Sequence, residues 1–226
     1  MADQVWAGVR ERVEALGGTG GVFGAAAHGF RLDPVLAPAE VEALEAQLGT
    51  ALPEEYRSFL LQVGAGGAGP CHGVYPVHRT EGRWAWSGDG ADLADLDRTA
   101  EPFPAAGPDP EALAGLVAQR PDEESFEDED EDEYDTAMEE WDDRMGDLLW
   151  AADRTVGAIV LCHLGCGQRE WLIVSGPEHG RIWSDNRIDD LDLAPLLDPE
   201  GRPVTFARWY LDWLDEAEQY VRQQAG

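Results

Sequence analysis

The sequence predicts an α+β fold. Three observations carry this reading. Two helical stripes, each opened by proline and closed by glycine, stand side by side at residues 38–64. Three β-rich runs crowd into residues 156–185. A long helical stripe with an aromatic face then closes the chain from Phe206. Helices, grouped strands and a final helix, without βαβ alternation, are the order expected of an α+β domain.

Taken in chain order, residues 2–16 place Val5, Val9, Val13 and Leu16 on one stripe of a short amphipathic helix. The glycine-rich run after it reads as loop. In APAEVEALEAQLG, Pro38 suits a first helical position and Gly49 a stop, with Val41, Leu44 and Leu48 on one face. LPEEYRSFLLQVG repeats the pattern: Pro53 opens it, Glu54 and Glu55 favour its first turn, and Tyr56, Phe59, Leu60 and Val63 form the buried stripe. The two make a helical hairpin.

The next run, Gly64 to Gly69, satisfies the G-x-G-x-x-G spacing of dinucleotide-binding turns. That motif needs a strand before it and a helix after it, so that the helix N-terminus faces the pyrophosphate. Here a helix precedes and the β-prone GVYPV follows. The run is therefore read as a helix C-cap and a turn, with no dinucleotide site.

Strands are expected at 74–77 and 83–87, and the second puts Trp84 and Trp86 on one face, read as core. A short helix is expected near 110–119, and helix again over 136–150. Strands follow at 156–165, 169–176 and 181–185. REWLIVSG is apolar on both alternating faces, as in a strand central to its sheet. PEHG turns the last two into a hairpin. Thr205 is read as the N-cap of the final helix, with Phe206, Trp209, Tyr210, Trp213, Leu214 and Ala217 on its inner face.

The chain has 226 residues, 43% of them apolar and 9 of them tryptophan, enough for a substantial core. Its 46 acids face 16 bases, for a net charge of −30. Such a field repels nucleic acid and anionic membrane surfaces, and its natural complement is a basic protein. Every base is arginine, which excludes lysine-dependent chemistry such as a P-loop or a Schiff base. The opening residues lack the pattern of a signal peptide, and no run has the ~18 apolar residues of a membrane helix. Three scattered cysteines suit a reducing, cytoplasmic setting.

Half of the net charge sits in one place: 15 acids and no base lie between Asp122 and Asp143. Such a run repels itself and buries little, so residues 121–143 are expected to form a flexible acidic insertion.

Several of these motifs, in order, closely resemble the SUKH superfamily. The pieces are LAPAEVEALEAQLGTALPEEYRSFLLQVGAGGAGP, GVYPV, GAIVLCHLGCGQREWLIVSGPEHGRIWSDNR and FARWYLDWLDEA, across roughly residues 31–217. Ala65 stands where that family often has an asparagine. The superfamily includes bacterial immunity proteins of polymorphic-toxin systems and the fungal killer-toxin-resistance cell-wall regulator. The resemblance implies one domain over residues 31–226, in which the helical hairpin packs on a mainly antiparallel or mixed sheet. Residues 1–30 are then an N-terminal extension. It also implies a non-enzymatic binder of a protein partner, with no catalytic residues to carry over.

Candidate chemistry is sparse. Cys162, His163 and Cys166, with Cys71, His72 and His179 elsewhere, invite a zinc reading. Along an extended strand, however, the sulfurs of Cys162 and Cys166 would stand about 13 Å apart at ~3.3 Å per residue. One zinc needs both within ~2.3 Å of the metal, and only a tight turn at Gly165, Cys166 and Gly167 could bring them there; these cysteines are read as core and no metal is assigned. Asp128, Asp130, Asp132, Tyr134, Thr136 and Glu139 fall at the ligand positions of a calcium loop, but Glu133 occupies the glycine position. No serine-hydrolase signature is present, and no cofactor is expected.

The functional expectation is an immunity protein that binds a basic toxin domain, such as a nuclease or deaminase. Its interface would be Phe126, Asp128, Glu129, Asp130, Glu131, Asp132, Glu133, Tyr134 and Trp141, with carboxylates for steering and aromatics for anchoring. The alternatives are a regulatory adaptor of the same fold with a cellular protein partner, and a small metalloprotein or hydrolase.

Overall fold

The computed structural model describes residues 2–126 and 131–224. Two short helices, α1 (Ala2–Val5) and α2 (Val9–Ala15), lead to a single turn, α3 (Ala25–His28). The helical hairpin follows as α4 (Pro38–Leu48) and α5 (Glu54–Gln62). The β1 (Val77–Thr80) and β2 (Arg83–Trp86) strands pair antiparallel as a separate ribbon. A second helical hairpin, α6 (Pro110–Val117) and α7 (Glu131–Leu149), precedes the main sheet. That sheet is antiparallel, in the order β3 (Ala158–Gly165), β4 (Gln168–Ile173), β5 (Ile182–Asp185) and β6 (Ala194–Pro195). The last element is α8 (Phe206–Gln224). This is an α+β fold whose β4 lies inside its sheet, as its two-faced apolar pattern requires.

Local chemistry accounts for the boundaries. The Ala37 amide at the start of α4 donates to the Glu40 carboxylate at 2.8 Å, one half of a capping box. The hairpins β1–β2 and β3–β4 each turn on two residues, both at positive φ: Glu81 (52°) with Gly82 (86°), and Cys166 (50°) with Gly167 (80°). That is the tight turn whose twist matches paired strands. The observed β1 starts where the expected strand over 74–77 ends, because Val74 pairs with Gly67 instead.

The G-x-G-x-x-G run has a packing role. Gly67, at φ 102°, bridges Leu32 on one side and Val74 on the other, and a Cβ there would strike the Arg31 carbonyl.

Alternating residues of β4 point to opposite faces of the sheet. On one face the Glu170 carboxylate accepts a hydrogen bond from Trp209 of α8 at 2.7 Å. On the other, Trp171 donates to Asp185 at 3.0 Å. Asp185 is in turn gripped by Arg187 at 2.8 and 2.7 Å, both groups being buried. The Arg187 guanidinium also donates to the carbonyl of Leu149 and stacks 4.1 Å from the Trp150 ring, which pins the end of α7 to the sheet. Burial pushes the Asp185 carboxyl up, but the hydrogen bonds and charge of Arg187 outweigh it and hold the group below its ordinary range.

The N-terminal segment contributes to the core. Trp6, Val9, Val13 and Leu16 are buried, whereas Val5 is exposed, because the chain turns at Gly8 between α1 and α2. Trp6 packs edge-on against Phe59, Phe206 and Tyr210 at 5.3, 5.9 and 5.8 Å, and its indole N–H donates to Ser58 at 2.9 Å. Arg12 holds Asp215 and Glu218 of α8 at 2.6 and 2.8 Å. The start of α8 is also tied across the chain, since the Ala207 amide donates to the Glu55 carboxylate at 2.9 Å.

Two outcomes follow for stability. Replacing Trp6→Ala removes a buried indole at the meeting point of three helices and should cost about 3–5 kcal/mol. Urea denaturation reads this directly, and a change under 1 kcal/mol would show that the N-terminal segment is dispensable. His28 is buried beside Phe30 and Trp213; its Nδ1 accepts the Phe30 amide, and its Nε2 has no partner among the described residues. Burial first, and the nearby His72 second, lower its pKa to about 4. The unfolded chain takes up that proton near the ordinary pKa of about 6.5, so protonation favours unfolding as pH falls from 6.5 towards 4. His28→Gln should therefore flatten the fall in melting temperature across that window, and an unchanged slope would refute the assignment.

Candidate functional site

The acidic block is mostly helix. The chain over 131–149 forms α7, which overlaps the helix expected over 136–150. The reason lies in its other stripe. Trp141, Met145 and Leu149 are buried, packed with Leu113 and Leu116 of α6 and with Met138. The Trp141 indole N–H donates to the Leu116 carbonyl at 2.7 Å, and Arg120 lies over its ring at 5.1 Å. A period-3.6 apolar stripe thus offsets the self-repulsion.

The opposite face of α7 is carboxylate. Asp132, Glu133, Asp135, Glu139, Glu140, Asp142 and Asp143 are all exposed, and among the described residues none of them is ion-paired. Phe126 and Tyr134, both half-buried, meet edge-on at 5.4 Å near the start of the helix. Of the interface expected from sequence, Asp132, Glu133 and Tyr134 therefore lie on one helix with Phe126 against it. Trp141 is 1% exposed and belongs to the local core rather than to a free surface. Asp128, Glu129 and Asp130 lie outside the described residues, and Glu131 is described in backbone only. The calcium-loop pattern falls largely on α7, where Asp132 to Glu139 are helical and cannot wrap an ion as a loop does.

A second feature lies along α8. Trp209, Trp213 and Tyr220 form one wall of a groove of about 650 Å³, which Phe23, Cys71 and Leu197 continue, with Asp212 and Glu216 at its rim. Behind it the chain brings together Cys71, Cys162 and Glu170, whose ligand-type atoms all lie within 4.8 Å of one another. Cys162 and Glu170 are cross-strand partners, and the thiol contacts the carboxylate at 3.4 Å. Burial raises both the Cys162 thiol and the Glu170 carboxyl above their ordinary ranges, the carboxyl despite hydrogen bonds from Trp209 and Cys162.

Comparison with protein families decides the relationship. The family model of the SMI1 / KNR4 family (SUKH-1) matches residues 36–195, well over half of the chain. The chain belongs to the SMI1/KNR4 family. No curated protein and no solved structure matches it. The family match covers the first helical hairpin, both sheets and α7. It leaves out α1, α2 and α8, so most of the groove is built by segments beyond the shared region of this SUKH-1 protein.

The core reading holds for Cys162 but not for Cys166, because the chain makes a tight turn at Gly165–Gly167 instead of running on extended. Cys166 sits exposed at the tip of the β3–β4 turn, while Cys162 is buried down the strand. Cys71, singled out in the sequence as one of the zinc-type residues, lies 91 residues before Cys162; the donor that sequence reasoning missed is Glu170, and no local spacing pattern signals that contact.

The packing of α7 yields a test. Trp141→Ala removes the anchor of a small cluster separate from the main core, so amide hydrogen exchange should speed up over residues 110–149. Exchange in β3 and β4 should stay as in the wild type. Equal loss of protection in both regions would show that the two cores unfold as one.

Proposed function

We propose that this SUKH-1 chain is a non-enzymatic immunity protein that neutralises a toxin domain by stoichiometric binding. The observation that supports it best is the ordered face of unpaired carboxylates on α7. Family membership fits an immunity or a regulatory protein of this fold. A helix held by its own apolar stripe presents charge at fixed spacing, much as a nucleic-acid backbone does. A toxin that acts on a polyanion carries a basic surface, and such a face would draw it in and speed encounter. In this reading Asp132, Glu133, Asp135 and Glu139 steer, while Phe126 and Tyr134 supply apolar contact at the helix start. Asp128, Glu129, Asp130 and Glu131 extend the same acidic run in sequence.

The test uses a purified basic toxin domain, a nuclease or deaminase, as the partner. Its association rate is measured by stopped flow over a salt series, with the wild type and with D132N/E133Q/D135N/E139Q. The wild type should associate at least ~10-fold faster at low salt and show the steeper salt dependence. Equal rates at low salt would overturn the role of α7. Failure of the wild type to bind, together with co-purification of a cellular protein, would favour the regulatory alternative.

A further inference from the structure

We propose that Cys71, Cys162 and Glu170 form a binding site for a thiophilic divalent cation, zinc(II) being the natural occupant. The site lies apart from α7 and goes beyond the immunity reading.

The donor set is the first argument. Two thiols and a carboxylate converge, with all three ligand atoms inside 4.8 Å of one another. In a tetrahedral zinc site with sulfur at ~2.3 Å, donor atoms stand about 3.5–3.8 Å apart. The contact of Cys162 sulfur with Glu170 oxygen is already 3.4 Å. Soft sulfur donors select zinc over calcium or magnesium, which take oxygen cages. Two thiolates and a carboxylate carry three negative charges, which a divalent cation largely offsets.

The second argument is how the ligands are held. Cys162 and Glu170 are fixed opposite each other across the β3–β4 ladder, beside an irregularity between Val160 and Cys162. Cys71 comes from a turn and sits at φ 55°, in the left-handed region that a side-chain-bearing residue adopts only at a cost. Gly24 presses on the Cys71 carbonyl so closely that any side chain there would collide with it. The packing thus holds a strained backbone whose thiol faces the other two donors.

The third argument is the shell around the site. The Trp209 indole N–H donates to the Glu170 carboxylate at 2.7 Å, the type of outer hydrogen bond that orients a metal-bound carboxylate. Cys71 and Trp209 both line the groove along α8, which gives an ion a path from solvent to the buried donors. With three protein ligands, the fourth position is left to water, and the strongly acidic surface raises the local concentration of cations.

The experiment uses the full chain, kept reduced with a phosphine, stripped by a chelator and dialysed. Cobalt(II) is titrated in as a spectroscopic probe and then displaced by zinc. The expected result is one ion per chain, with a near-ultraviolet thiolate-to-cobalt band of two-sulfur intensity. Zinc-edge X-ray absorption should find two sulfurs at about 2.3 Å. Cys71→Ser should cut the band by about half, W209F should weaken binding ~10–100-fold, and Cys166→Ser should change nothing. Cys71 is only half-buried, so its variant should fold, which circular dichroism verifies. A wild type that is folded but gives no thiolate band, or a band that survives Cys71→Ser and vanishes with Cys166→Ser, would overturn the site.

Discussion

The structure depends on burying one face of the last helix. Phe206, Trp209, Tyr210, Leu214 and Ala217 are all buried, and they can be so only if several distant segments close over them. The first hairpin supplies Tyr56 and Phe59, the opening residues supply Trp6, and β4 supplies Glu170 as acceptor for the Trp209 indole. Large aromatics contribute the most burial per residue, but the polar atoms they carry need partners. Here the Tyr210 hydroxyl donates to the Ala68 carbonyl at 2.8 Å, inside the glycine run that first suggested a nucleotide site. The glycines let that backbone come close enough to be covered.

Charge is divided by the fold rather than spread through it. Buried or half-buried arginines work on structure: Arg187 pins the sheet to the end of α7, Arg154 holds Asp192 at 2.7 Å, and Arg12 ties α2 to α8. The acids in excess are left on the outside, most densely on α7. A charged helix of this kind persists because its apolar stripe has a partner in α6, and its exposed face can then act on another molecule without holding this one together. The thiol–carboxylate cluster lies elsewhere, on the α8 side of the sheet, so the two surfaces can be altered independently.

Much of this was legible in the sequence. The helices at 38–48 and 54–62, the three main strands and α8 all have strong local periodicity, and local periodicity is what a linear reading detects. The aromatic pair Trp84 and Trp86 was also readable as core from its alternation, and both are buried. The same reasoning misplaced what depends on distant partners. Charge density alone does not tell that Trp141 is inside, because the burial of Trp141, Met145 and Leu149 is realised only against α6.

By itself, then, the sequence determined the class of fold, the family, and a strongly acidic character. Each rests on local pattern or on composition, which survive without coordinates. Only the tertiary structure decided that residues 2–30 complete the core, that Trp141 is inside and its neighbouring carboxylates outside, and that Cys71 meets Cys162 and Glu170. Those outcomes come from contacts between residues tens to hundreds of positions apart, fixed by which surfaces could be buried together.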